Sequence, residues 1–375
     1  MPNQFEIGLL ETGLAQAVLL SLNGCNDILS PLNWELKVLE SSSILYQNYW
    51  TAALGYWRDP KERSWILVSP GSIGDTWCVC ALGRAFRDTH GAPLTLVVRE
   101  SQQAIVHMFP DIFDRVIIWD DMRLTTFSQR LIGQGAFAID EPILAHPYWH
   151  GLGRFVGPLF ELLRYPGRGG LTLADQFRLI LQLDWESKLA QVEIPESWRL
   201  EAEVYADQIG LARGNSVILL PDNNTNPSLP DTFWEDLTTQ LVASGKKVFT
   251  NMAGNSTAAR SEPFKGSFPI NMTIRLGVPL AELAGRFISM ANGFQSMLLG
   301  SHAATEHTIL LHDFPSKHRI VGPGFPVKDP VAWQTFRGAG FCNGAFNEFV
   351  VRPDVITRQL IKDVAANNPG AMITF

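Results

Sequence analysis

The chain has 375 residues, 46% of them hydrophobic and 18% charged, with a formal net charge of −7. Length and composition predict a soluble globular protein of two domains with a sizeable core, and exclude a chain dominated by disorder. The acidic balance argues against broad nucleic-acid binding, which needs a basic face to displace counterions from phosphates.

At the N-terminus the first basic residue is Lys37, and Glu6 and Glu11 interrupt the apolar stretch. No secretory signal is therefore expected. No uninterrupted apolar run approaches the roughly 20 residues that cross a bilayer, which predicts a cytoplasmic protein with at most peripheral contact at the inner face of a membrane. The four cysteines, Cys25, Cys78, Cys80 and Cys342, lack zinc-ligand spacing. They read as reduced thiols, with Cys78 and Cys80 as small core residues.

Residues 1–62 read as a helical extension, with Trp34, Leu39, Tyr46 and Trp50 supplying apolar surface against the first domain. From 63 to 205 candidate strands at 65–69, 94–98, 116–119 and 137–139 alternate with helical stretches near 77–88 and 101–108, the rhythm of a parallel α/β sheet. The first strand empties into PGSIGD at 70–75. Gly71 and Gly74 permit backbone angles that a Cβ obstructs, and the following helix aims its positive end over the turn, so an anionic or hydroxyl-rich ligand fits there. The spacing is neither the dinucleotide G-x-G-x-x-G nor a P-loop. A plain strand-to-helix turn, with Asp75 as a first-turn acid complementing the dipole, is the competing reading. G-S-I-G also lacks the G-x-S-x-G elbow of serine hydrolases.

Residues 141–205 are rich in Pro, Gly, Arg and Trp and read as a bridge between two halves. Within it His146, Tyr148, Trp149 and His150 combine imidazoles with flat apolar faces that suit stacking on sugar rings. A structural aromatic cluster is the alternative. Residues 206–375 form the second domain, with a strand at 216–220, the polar turn PDNNTNPSLPD, a helix over 231–244, a strand at 246–250, a helix near 279–286 and strands at 287–289 and 307–311. Asp222, Asn223 and Asn224 after one strand, and Thr250 and Asn251 at the end of the next, are candidates for phosphate, ribose or base contacts. Asx turns capping the helix at Asp231 are the competing use. His302 and Glu306 would share a helix face with His307 beside them, but without a third well-spaced ligand no metal site is expected.

Taken with the segments 94–120, 145–151 (AHPYWHG), 216–251 and 279–299, the PGSIGD turn resembles the GT-B glycosyltransferases of the heptosyltransferase type. The closer similarity is to bacterial capsular and surface-polysaccharide glycosyltransferases. The resemblance implies two doubly wound Rossmann-like domains facing across a cleft, with acceptor on the N-terminal side and nucleotide-sugar on the C-terminal side. It implies sugar transfer to a saccharide or protein acceptor, without a metal and with no cofactor beyond the nucleotide-sugar substrate. By position, Asp75 is then the general base, with Gly71, Ser72, Gly74, His146, Tyr148 and Trp149 on the acceptor side. Asp222, Asn223, Asn224, Thr250, Asn251, Gln295, Ser296, Met297 and Leu298 fall on the donor side.

The last segment departs from the family pattern. Members commonly carry Arg-Ser-Gly-Leu where this chain has Gln295-Ser296-Met297-Leu298. An Arg clamps a diphosphate through a charged fork, whereas Gln offers a neutral amide. Three readings follow: an active transferase whose charge comes from another cation such as Arg275, Arg286 or Lys317, one that takes a different donor, or a non-catalytic binding or assembly subunit with a degenerate donor loop. An epimerase or hydrolase of nucleotide-sugars is disfavoured by the missing dinucleotide turn.

Overall fold

A computed structural model describes residues 65–69, 72–90, 93–120, 143–145, 186–222, 229–252, 260–299, 306–312, 346–351 and 356–368, with a few positions between 174 and 184. The protein is α/β, and the described residues form two wholly parallel sheets.

The first sheet holds β1 (Trp65–Ser69), β2 (Leu94–Arg99), β3 (Arg115–Trp119) and β4 (Ile143–Ala145), in the order β3-β2-β1-β4. Leu67 of β1 lies between Leu96 of β2 and Leu144 of β4. Helix α1 (Ile73–His90) follows β1, and a 3₁₀ turn (Glu100–Gln102) leads from β2 into the short α2 (Gln103–Val106). The strand expected at 137–139 and the helical extension over 1–62 lie outside the described residues. Parallel pairing to β1 is made by 143–145.

The second sheet holds β5 (Ser216–Leu220), β6 (Lys247–Asn251), β7 (Phe268–Ile270), β8 (Gly285–Met290), β9 (Glu306–His312) and β10 (Phe346–Val351). Its order, β10-β9-β8-β5-β6-β7, is the doubly wound 3-2-1-4-5-6 arrangement read from the other edge. The strand order reverses between β5 and β8. In the first sheet it reverses between β1 and β4.

All five residues of β5 are buried, as a strand covered on both faces requires. Alternate residues face opposite ways. Ile218 and Leu220 join one apolar cluster with Phe287 and Met297. Val217 and Leu219 join a second with Trp234, Ile288 and Leu310. The second cluster is closed by α4 (Asp231–Ala243) and α7 (Arg358–Ala366), whose Trp234, Leu237, Leu241, Ile361 and Val364 are buried. The first cluster runs without interruption into the other unit, taking in Leu67, Trp77, Leu96 and Phe109. The two sheets therefore share one core.

The connection between them is tied to the first unit by backbone bonds from Ala190 N–H to Ala81 O (2.7 Å) and from Glu193 N–H to Met108 O (2.8 Å). Helix α3 (Glu196–Gln208) then buries Trp198, Ala202 and Ala206, spaced four apart on one face. It packs on α5 (Ile274–Ala284), with Arg275 to Glu201 at 2.7 Å and Arg199 to Glu282 as ion pairs along the seam. Because α3 runs through positions 205 and 206, where the sequence divides the domains, the helix is one continuous element on the side of the second sheet.

The helix expected near 279–286 starts five residues earlier, at Ile274, where Thr273 caps it by accepting from Leu276 N–H at 3.3 Å. Pro279, which looks like a helix start in sequence, sits inside it and forfeits one backbone bond. Gly285 closes the helix at φ 89°, so the chain turns directly into β8.

Candidate functional site

The turn after β1 is closed by Ser72 and Asp75. Ser72 is the residue before α1, and its carbonyl accepts from Thr76 N–H at 3.0 Å. One oxygen of Asp75 accepts from both Ser72 N–H and Ser72 Oγ–H, each at 2.7 Å. This satisfies an amide that the helix leaves orphaned, and it holds a carboxylate at the positive end of an 18-residue helix. The Ser-x-x-Asp spacing brings the two residues within reach across the first turn. Ser72 is exposed and Asp75 half-buried, whereas Thr76 beneath them is fully buried. Thr76 Oγ1 pairs with Ser69 Oγ at 2.9 Å and donates to Gln102 Oε1, a polar chain linking β1, α1 and the turn after β2.

In the second unit β8 leads through Ala291 and Asn292 into α6 (Gly293–Leu299). Asn292 Oδ1 accepts from Gln295 N–H at 3.0 Å and so caps that helix. The side chain of Gln295 is wholly buried. Its Oε1 accepts from Ser289 Oγ–H, and its Nε2 lies 3.4 Å from Nδ1 of the buried His307 on β9. Burial pushes the His307 imidazole down to about 4, so it is neutral near pH 7.

The two turns meet. A Cβ at Gly74 would sit 2.8 Å from Gly293 Cα, and one at Gly293 would sit 2.7 Å from Gly74 Cα. Only two glycines allow the backbones of α1 and α6 to approach this closely. Gly74 lies within α1 with an ordinary helical role, so its missing side chain serves contact between units. The expectation that it permits an unusual turn angle is corrected accordingly.

The other expected donor-side residues are distributed differently. Asp222 follows β5 and is half-buried; burial raises its carboxyl, Arg260 opposes that shift and Asp231 adds to it. Arg260 pairs with Asp231 at 2.9 Å and stacks 4.0 Å above the Phe264 ring. Thr250 and Asn251 end β6, but both side chains are buried. Thr250 Oγ1 pairs with Ser267 Oγ at 2.6 Å, and Asn251 Oδ1 accepts from Met272 N–H at 3.0 Å. They hold the β6 to α5 connection together. Ser296, Met297 and Leu298 are buried, the last two within the shared core.

Of the three cations expected to supply charge for Gln295, Arg275 and Arg286 are described, and both are engaged elsewhere. Arg275 pairs with Glu201 and lies over Trp198. Arg286 is buried, donating to the carbonyls of Ala365 at 2.6 Å and Val364 at 2.7 Å, where it neutralises the negative end of α7. Glu306 and His307 stand on a strand, not on the helix that would have let Glu306 share a face with His302. Among the described residues no group of three or more His, Cys, Asp or Glu is arranged to hold a metal ion. Among the same residues no helix is long and apolar enough to cross a membrane. Gly71, His146, Tyr148, Trp149, Asn223, Asn224, His302 and Lys317 lie outside the described residues.

No protein-family model matches the chain, and no curated protein matches it by sequence. Among solved structures it is similar to a glycosyl transferase of family 9 from Veillonella parvula, at 13% identity and a TM-score of 0.49, over 84% of this chain and 93% of the other. A second is the E. coli ADP-heptose LPS heptosyltransferase II, at 12% identity and a TM-score of 0.48, over 81% and 96%. A third is the E. coli heptosyltransferase WaaC with ADP, at 14% identity and a TM-score of 0.46, over 81% and 99%.

Proposed function

We propose that the protein is a glycosyltransferase that moves a sugar from a nucleotide-activated donor to a hydroxyl of a glycan or protein acceptor, with Asp75 as general base. The observation that carries this reading is the contact between Gly74 and Gly293. It sets a carboxylate of one doubly wound unit beside the carboxyl end of β8 in the other, next to the point where that sheet's strand order reverses. Such reversal points are where doubly wound sheets bind ligands.

A sugar hydroxyl is a weak nucleophile at neutral pH. In the proposed reaction its proton passes to Asp75 as its oxygen bonds to the anomeric carbon of the donor. The bond from that carbon to the phosphate oxygen breaks, and the nucleoside diphosphate leaves with the bonding pair. No divalent metal or other cofactor is assigned a role. Ser72 holds one carboxylate oxygen, so the acid is already fixed in position before an acceptor arrives.

The non-catalytic alternative arose from Gln295 and Met297 replacing residues that would meet phosphate. Both side chains are packed in the interior, and Arg275 and Arg286 are engaged elsewhere, so the binding or assembly subunit stands as the second reading beside the catalytic one. Calorimetric titration with a panel of nucleoside diphosphates, ADP first because a heptosyltransferase of similar fold was solved with it, tests the donor assignment. Saturable binding of one base is expected. A folded protein that binds none of them contradicts the proposal.

A further inference from the structure

We infer that Gly74 and Gly293 are positioning residues, whose missing side chains set how closely Asp75 approaches a donor held at the carboxyl end of β8. The inference rests on the transferase reading above. It goes beyond that reading by assigning a catalytic consequence to two residues that offer no chemistry of their own.

The geometry is unusual for a contact between units. Most of the shared interior is apolar side chain, which can repack around a small change in volume. At this point backbone faces backbone. A methyl at Gly293 would meet Gly74 Cα at 2.7 Å and the carbonyl carbon of Ile73 at 3.3 Å, and one at Gly74 would meet Gly293 Cα at 2.8 Å. Carbon atoms in contact rest about 3.5–4.0 Å apart, so either methyl drives the turns apart by about 1 Å. Neither side has a flexible chain end that could yield.

What flanks the contact gives the spacing its consequence. On one side the next residue is Asp75, fixed by Ser72; on the other, Asn292 caps α6 immediately after β8. Behind each turn lies a buried polar set, Ser69–Thr76–Gln102 and Ser289–Gln295–His307, which anchors the turn to its own sheet. Each turn is thus rigid within its unit. The displacement caused by a methyl must appear between the units, where the acid and the donor face each other. A misplacement of about 1 Å costs a reaction on the order of 10²-fold when the chemistry depends on alignment.

The test compares Gly293→Ala and Gly74→Ala with the unaltered protein in steady-state transfer assays, with nucleoside diphosphate affinity measured separately. The donor-side elements remain intact in both variants, so affinity for the diphosphate should stay within about threefold while kcat falls by on the order of 10²-fold. Unchanged kcat in a folded Gly293→Ala protein overturns the inference, as does a loss of affinity as large as the loss of kcat. If Gly293→Ala does not fold, Gly74→Ala decides by the same two readings. If neither folds, hydrogen exchange on the unaltered protein decides: peptides spanning the first turns of α1 and α6 should be protected together, and rapid exchange in either overturns the contact. Absence of turnover in the unaltered protein with any nucleotide-sugar would instead contradict the proposed function itself.

Discussion

Ser72 donates two hydrogen bonds, from its backbone N–H and its hydroxyl, to a single carboxylate oxygen of Asp75. This pair gives Asp75 a structural duty at the helix start as well as its proposed chemical one, and the two separate under mutation. Ser72→Ala removes the hydroxyl bond to the carboxylate while leaving the backbone one, and should lower stability by about 1 kcal/mol, the usual net value of one hydrogen bond. A fall in the melting temperature of Ser72→Ala, measured by circular dichroism, checks this. No fall would mean that the hydroxyl bond contributes nothing.

The loop at 295–298 makes a prediction opposite to the one its sequence suggests. If Gln295 faced a diphosphate, Gln295→Arg would tighten nucleotide binding through a charge-assisted contact. Its amide is instead enclosed with Ser289 and His307, so Arg at this position buries a charge without a partner. Gln295→Arg should destabilise the protein by roughly 3 kcal/mol or more, with no gain in nucleotide affinity. Met297→Gly should lose about 2–5 kcal/mol by emptying core volume. Urea unfolding of both variants, with calorimetry on whatever remains folded, tests these outcomes.

These differences show what the residues could and could not reveal. The apolar run of β5 and the alternation of strand and helix around it were legible, because burial on two faces leaves an uninterrupted hydrophobic signature. Asp75 at a helix start was legible because it follows a strand-to-helix turn and precedes a run of helical periodicity. The direction of Gln295 was not, because resemblance aligns a position without saying which side of a seven-residue helix it occupies. Gly74 reads in the sequence as a residue freed for an unusual turn angle, whereas its use is a close neighbour. Only the contact with Gly293, which lies 219 positions along the chain, reveals that use. The first turn of α5 was not legible, because Pro279 stands inside the helix, where the sequence pattern alone gives no reason to extend it.

His307 predicts how stability responds to acid. Its folded value is about 4 against an ordinary 6.5, so below pH 6.5 the unfolded chain takes up a proton that the folded protein refuses. Stability from this residue is complete above about pH 6.5 and is lost as pH falls toward 4, at up to about 1.4 kcal/mol per pH unit. Urea midpoints measured from pH 7 to pH 4 should show this slope, and His307→Gln should flatten it. An identical slope in the variant would assign the acid sensitivity to other groups.

Arg286 should matter for folding and not for the donor. Its guanidinium serves two carbonyls at the end of α7 and lies 3.6 Å from Glu306. Arg286→Met leaves those carbonyls without their charged donor and should cost about 2–4 kcal/mol, since bonds to a charged group contribute more than neutral ones. Nucleoside diphosphate affinity of the folded fraction should be unchanged. A large loss of affinity without loss of stability would return Arg286 to the donor site.

Turnover of Asp75→Asn decides whether Asp75 accepts the acceptor's proton. Asn keeps the size of the side chain and an oxygen that can accept from Ser72, so the helix start should survive while the base is lost. Sugar transfer should fall by about 10²–10⁴-fold, with nucleoside diphosphate affinity and the melting temperature near those of the unaltered protein. Transfer at the unaltered rate by a folded Asp75→Asn protein would contradict the account and leave Asp75 as the capping residue of α1 alone.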